Sequence, residues 1–283
     1  MHWLYDLPLW LLCAMFIGCG VALAAAGVLL VRRLGWTMTR DDNGPAAALH
    51  AFIGVLYAVA LALMVVAVQE DYGEVEAAVL TEANAADDMF RALDAVQPAP
   101  RAHLMEDLSG YVDSVIRDEW PASRHGETSA ATWRTVDELA REIHTFQPTT
   151  PAEERIHPEL LEALDELLDA RGVRLFLGEQ GIGAVTWMVI LVGGVITLGF
   201  ACFFHMDRVR TQLLLTGMMG AMFGLMLFLL VAMDHPLWGK LSVQPDAFRE
   251  LQRNFARLRA EAPVPAPLLA EEVDSSRPPP VPE

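Results

Sequence analysis

The sequence predicts an all-α protein with four transmembrane helices and a helical aqueous domain inserted between the second and third spans. Three observations carry that prediction. Four apolar runs have the length of roughly 20 residues that a helix needs to cross about 30 Å of hydrocarbon. Between the second and third runs, apolar residues recur every three or four positions, the period of a helix and not of a strand. Charge is also segregated: the 283-residue chain carries −17, while its segment 69–183 alone holds nine basic and 25 acidic residues. The remainder is nearly neutral and greasy, as expected of an acidic aqueous domain attached to a membrane domain. No basic stripe is present that could bind phosphate, which argues against nucleic acid as a partner.

The first two spans fall within 1–68. The first, 7–31, is preceded by Met1–Asp6, which has no basic residue, and it is too long for a cleaved signal peptide. Arg32 and Arg33 follow it directly, as they do behind a helix that stays in the membrane. The second, 46–68, passes into acidic residues at Gln69 without a Pro, Asn-Gly or Ser cluster, and Gly73 lies beyond the change. The membrane helix therefore continues as one rod into the first aqueous helix, and the change at Gln69 marks the membrane surface.

Segment 69–181 is the aqueous domain. Its first stripe is Val75, Val79, Ala83, Ala86, Phe90 and Leu93, and its second is Leu104, Leu108, Tyr111, Val112 and Val115. A third runs through Trp133, Val136, Ala140 and Ile143, and a fourth through Ile156, Leu160, Leu164 and Leu167. Each face needs burial against another helix. Pro98 and Pro100, Pro121 to Gly126, and Pro148 and Pro151 punctuate them. The third and fourth spans, 182–204 and 213–233, make up the membrane segment 182–233. Segment 234–260 ends in an amphipathic helix with Phe248, Leu251, Phe255 and Leu258 on one face. The Pro-rich acidic tail, 261–283, is expected to be disordered.

Small residues set how closely membrane helices approach, because lipid offers no hydrophobic drive for them to associate. Gly18, Ala22 and Ala26 line one face of the first span, Gly54, Ala58 and Ala62 one of the second, and Gly220 with Gly224 form a GxxxG on the fourth. Recurrence on three spans predicts a packed bundle or a homo-oligomer. No acidic or basic residue lies well inside a span, His50 being near the start of the second, which argues against active transport. A passive pore needs only helix ends, apolar constrictions and polar rings.

Chemical motifs are lacking. Glu153, Glu154 and His157 have an ExxH spacing, but a di-iron bundle needs two such motifs with further carboxylates, so these read as a solvated charged face before Pro158. There is no Walker loop, HExxH, GxSxG or dinucleotide fingerprint, and hence no motif for an enzyme, a metal or a cofactor. Cys13, Cys19 and Cys202 all sit in apolar runs and read as small hydrophobes. Lys240 is the single lysine, a usage typical of GC-rich bacterial genomes.

Several stretches resemble the bestrophin-like family of four-span bacterial membrane proteins: GVLYAVALALMVVAVQEDY (54–72), DEWP (118–121), LDARGVRL (168–175), LVGGVITLGFACFF (191–204) and DHPLWGKLSVQPDAF (234–248). Departures are Gln69, where the family favours Trp, and Gly172, where it favours a second Arg. The resemblance implies the layout of bestrophins, which are pentameric anion channels with a helical aqueous domain between the second and third of four membrane helices. It also implies residence in a bacterial inner membrane.

Two functional readings follow. The first is an oligomeric passive ion channel in the lipid bilayer, with Tyr57 and Leu61 near its axis and an acidic ring at Glu70 and Asp71; the ring favours cations at the mouth while the resemblance implies anions, so the sign of the ion stays open. The second is a sensor or scaffold whose helical domain binds a partner protein. At the membrane surface, Glu70 and Asp71 are expected to pair with Arg171 and Arg174. Arg32, Arg33, Arg40, Arg208 and Arg210 flank the two short loops, so the positive-inside rule places those loops in the cytoplasm and the termini and acidic domain outside. The resemblance implies the opposite orientation; the charge rule, which rests on this chain's own residues, is adopted.

Overall fold

The computed structural model describes residues 7–239 and 241–261. The expectations for Met1–Asp6, for Lys240 and for the tail from residue 262 lie outside the described residues. Among those residues every regular element is helical.

Helix α1 (Leu9–Leu34) begins behind Pro8 and ends at Gly35, whose φ of 70° places it in the left-handed region open to glycine. Helix α2 (Asn43–Ala92) runs for 50 residues without a break. At 1.5 Å per residue it is about 75 Å long, more than twice the hydrocarbon thickness, so it projects well beyond a membrane. Helix α3 (Pro98–Ser114) passes through a π-helical turn (Val115–Glu119) into the short α4 (Trp120–Ser123). Helix α5 (Ala130–Thr145) starts where Ser129 Oγ accepts the Thr132 N–H. Helix α6 (Pro151–Glu179) is separated from α7 (Ala184–Cys202) by only four residues, and α8 (Val209–Met233) and α9 (Asp246–Glu261) complete the chain. Four helices are long and apolar enough to cross a membrane: α1, α2, the α6–α7 rod and α8.

The apolar helices pack at one end of the molecule, with α1 most extensively on α8. Their contact is set by glycine. A Cβ on Gly20 would collide with the Gly220 carbonyl, one on Gly220 with the Gly20 carbonyl, and one on Gly224 with the Phe16 carbonyl. The α1 seam therefore runs through Gly20, Ala24 and Val28, all buried, and not through the expected Gly18, Ala22 and Ala26. Gly18 has open space around it, because it lies two residues, or about 160° of rotation at 100° per residue, from Gly20.

At the other end, α6 packs along the distal half of α2 with α3 and α9 beside it, and α5 packs on α3. Their common core includes Val79, Phe90, Leu108, Val136, Leu164 and Phe248, and the stripes of α2, α3 and α6 lie in it, with only Ile156 partly buried. In α5 the inward residue is Leu139, while Trp133 is 45% exposed, capping a charged group described below. After α8 the chain returns to this core. Trp120 Nε1–H donates to the Val243 carbonyl at 3.0 Å, Tyr72 OH donates to the Leu241 carbonyl at 3.2 Å, and Phe90 stacks on Phe255 at 4.0 Å. The C-terminal segment thus straps the distal part of α2 to its neighbours. Leu258, expected inside, lies at the edge with 36% exposure.

Candidate functional site

Four charged side chains meet in the distal core. Glu82 comes from α2, Glu119 from the π-helical turn, and Arg171 and Arg174 from α6; each is at most 1% exposed. Each also continues an apolar stripe by a helical step: Glu82 from Val79, Glu119 from Val115, Arg171 and Arg174 from Leu167. Arg171 donates through Nη1 and Nη2 to the two Glu119 oxygens at 2.6 and 2.5 Å. Arg174 donates through Nε and Nη2 to Glu82 at 2.6 and 2.9 Å, and through Nη2 to Glu119 at 2.6 Å. Tyr111 OH donates to Glu82. Aromatic rings close the remaining sides, Trp133 lying 4.8 Å from the Arg171 guanidinium and Trp120 5.0 Å from that of Arg174.

The cluster is neutral as a unit, which is what makes its burial tolerable. Burial is the largest single influence on Glu119 and pushes its carboxyl up. Arg174 and Arg171 together outweigh that and hold it below the usual carboxylate range. Burial likewise opposes charge on Arg174, but Glu82 and Glu119 overcome it and raise the guanidinium further above its ordinary value. Burial first, and then Glu82, pushes the Tyr111 phenol well above its ordinary value and keeps it a neutral donor. Sequence reasoning missed Glu82 and Glu119 and gave Arg171 and Arg174 the wrong partners. Glu70 and Asp71 are exposed on α2 and make no ion pair among the described residues. The physical reason is height along the helix: α6 runs antiparallel to α2, and Arg174 is level with Glu82, about three turns along α2 beyond Glu70 and Asp71.

A second carboxylate was also misread. Glu153 is buried beneath its own capping loop, where it accepts the N–H groups of Gln97, Thr149 and Thr150 at 3.0, 2.8 and 3.0 Å. The Gln97 and Thr149 N–H bonds lead in lowering its pKa to about 2. It caps α6 and is not a solvated partner of His157, whose ring packs edge-on against Phe146.

In the membrane part, α2 presents two different faces. Tyr57 and Leu61 turn inward: the Tyr57 OH donates to the Ile190 carbonyl at 2.7 Å, and Leu61 packs with Val68, Ile190 and Leu230. These two residues therefore face the chain's own α7 and α8. Gly54, Ala58 and Ala62 line the flank of an open apolar groove of about 640 Å³, walled on the other side by Met219, Met222 and Phe223. A Cβ on Gly54 would meet nothing within 4 Å, so this line is not a close-packed seam within the chain. The opposite face carries Phe52, Val55, Leu56, Val59, Leu63 and Val66, each more than half exposed. Only 11% of the most apolar window of this helix is buried in the chain. One turn further along the same face comes Glu70.

At the far end of the membrane bundle the short loops are cross-tied. Arg32 Nε donates to Gln212 Oε1 at 2.7 Å, Asn43 exchanges two hydrogen bonds with the His205 backbone, and Arg40 pairs with Asp207. No group of side chains suited to holding a metal ion occurs among the described residues.

This geometry defines a multi-pass α-helical membrane protein, four apolar helices at one end and a helical domain with a buried ionic core at the other. The family model for the Bestrophin-like domain matches residues 18–248, and the chain belongs to that family. Its fold is similar to crystal structures of a bacterial bestrophin homologue from Klebsiella pneumoniae. One such structure aligns with a TM-score of 0.65 at 14% identity, covering 87% of this chain and 98% of that one. Two single-residue variants of that homologue align with TM-scores of 0.68 and 0.67, both at 13% identity, covering 88% and 87% of this chain and 97% and 98% of theirs. No curated protein matches the sequence.

Proposed function

We propose that this protein is a homo-oligomeric, passive ion channel of a bacterial inner membrane, lined by the outward face of α2. The observation that carries the reading is that face itself. Phe52, Leu56, Val59, Leu63 and Val66 form an apolar stripe, each more than half exposed among the described residues, on an unbroken helix that delivers Glu70 one turn later. Several such faces around an axis make a narrow apolar constriction opening into an acidic mouth. An apolar constriction gates by dewetting, and a ring of carboxylates concentrates cations. The neighbouring Asp71 and Glu74 and the acidity of the whole distal domain act in the same direction. The channel therefore favours small cations, in contrast to the anion selectivity that the resemblance to bestrophins implied.

Flux through purified protein in liposomes, measured separately for potassium and chloride, tests this. Potassium flux should exceed chloride flux, and Glu70→Gln should reduce the difference. Substituting Val59→Asp in the constriction should raise flux by wetting it. No flux of either ion from a confirmed oligomer, over a range of pH and voltage, would refute the channel and leave the scaffold reading.

A further inference from the structure

The end of the membrane bundle away from the distal domain differs in charge from the rest of the chain. Residues 32–42 and 203–212, the two short loops with the helix ends beside them, hold five arginines against three aspartates. That is a net charge of +2 in a chain of −17. The loops enclose a pocket of about 520 Å³, lined among others by Arg40, Asn43, His205, Asp207, Arg208 and Thr211. Asn43 opens α2 and Thr211 lies in the first turn of α8, so the pocket stands between those two helices.

Most polar groups there are already engaged. Arg40 holds both oxygens of Asp207, and the His205 ring stands 3.7 Å from the same carboxylate. Asn43 bonds the His205 backbone, Arg32 reaches Gln212 and the Met206 carbonyl, and Thr39 Oγ1 donates to Asp42. Arg33, Arg208 and Arg210 are exposed and make no side-chain hydrogen bond or ion pair among the described residues, and the same holds for Asp41. The charge left unused is therefore positive, and Arg208 brings it to the pocket itself.

The pocket stands where lipid headgroups lie. Helix α1 ends at Leu34, and Trp36 just beyond it is 63% exposed, as an aromatic ring is at a boundary between lipid and water. From Thr211, steps of three or four residues lead along one face of α8 through Leu215, Met218 and Met222, which are 48%, 63% and 55% exposed. Thr211 and Met222 are 11 residues, or about 16 Å, apart along the helix, close to half of the roughly 30 Å of hydrocarbon. Met222 also lines the apolar groove between α2 and α8. A basic pocket above an apolar track one leaflet long matches the two parts of a phospholipid, whereas a free phosphate has use only for the first.

We propose that the pocket binds the phosphate of an anionic phospholipid through the Arg208 guanidinium, with an acyl chain laid along Leu215, Met218 and Met222. A guanidinium offers a phosphate two parallel N–H donors, which fixes the headgroup as well as attracting it. Two uncompensated charges suit one phosphodiester and fall short of the basic stripe that a nucleic acid needs. The site is complete within one chain, so it stands whether or not the protein conducts ions.

The full chain in neutral detergent, titrated with phosphatidylglycerol or phosphatidylcholine and read by native mass spectrometry for bound lipid, tests it. Phosphatidylglycerol should bind at least about fivefold tighter, the weight of one arginine beside an anionic lipid. Arg208→Gln should remove about that factor, Arg208→Lys should keep most of it, and Arg134→Gln, an equal change of charge in the distal domain, should leave it intact. Raising the ionic strength should erode the preference in the unsubstituted chain. Glycerophosphoglycerol, the headgroup without acyl chains, and inorganic phosphate should not displace the lipid at the same concentration. Equal binding of the two lipids, or a preference that Arg208→Gln leaves unchanged, overturns the site. Displacement of the lipid by inorganic phosphate, lost in Arg208→Gln, overturns the lipid as its ligand and makes it a free-phosphate site.

Discussion

Removing the Glu119 carboxylate should unfold the distal domain far more readily than removing any exposed acid. Glu119 receives three charge-assisted bonds, two from Arg171 and one from Arg174. In Glu119→Ala the two buried guanidiniums share only Glu82, so the cluster passes from neutral to a net charge of +1 in a region with no access to water. Removing one partner of a buried pair costs about 3–5 kcal/mol, because the partner left behind is uncompensated. The shift in Tm is roughly 2–4 °C per kcal/mol for a domain of this size, so the expected loss is on the order of 10 °C. Tryptophan fluorescence on heating is the assay, since Trp120 and Trp133 sit over the two guanidiniums. Glu70→Ala, exposed and unpaired, is the control and should stay within about 0.5 kcal/mol. The pH dependence has a definite sign. Glu119 has a depressed folded-state pKa, so its stabilisation is full above the ordinary carboxylate range and is lost as pH falls through the lower folded value. That acid-side loss should vanish in Glu119→Gln. If Glu119→Ala and Glu70→Ala melt within 2 °C of each other, the cluster is not what holds α2, α6 and the π-helical turn together.

Two further outcomes are expected. Gly220→Leu should separate α1 from α8 and lower thermal stability by about 2 kcal/mol or more, the cost of overpacking a tight contact, whereas Gly54→Ala should leave the monomer's stability unchanged; equal effects would refute the assigned seam. Reporter fusions after Val96 and after Thr39 should give phosphatase activity only at Val96, in keeping with Arg33, Arg208 and Arg210 on the cytoplasmic side; activity only at Thr39 would reverse the orientation.

Much of the architecture was legible in the sequence because it depends on local period and solvent preference. The absence of a turn at Gln69 was enough to predict one continuous helix across the change from apolar to acidic residues, and α2 is that helix. The apolar stripes located the core of the distal domain, with Leu139 in place of Trp133 as the main exception. The ionic cluster was also written in those stripes, as charged residues at positions where an apolar one was due. It was passed over because a charge in an amphipathic pattern is ordinarily assigned to water. The glycine pair Gly220 and Gly224 was visible as a motif, but its counterpart at Gly20 was not, since a line of small residues exists on more than one face of α1.

What the sequence by itself determined, then, is which segments are helices, which of them suit lipid and where the acidic domain begins, since each follows from hydrophobic period and charge along the chain. Only the tertiary structure decided partners and directions. It gave Arg171 and Arg174 to Glu119 and Glu82 instead of to Glu70 and Asp71, turned Tyr57 and Leu61 inward, and left the Phe52–Val66 face exposed among the described residues. The physical reason is that a helix fixes the angle and height of each side chain relative to its neighbours in sequence. Which neighbour stands opposite depends on the antiparallel register of α2 with α6, and that register is set by contacts about 90 residues apart in the chain, Glu82 with Arg174 among them.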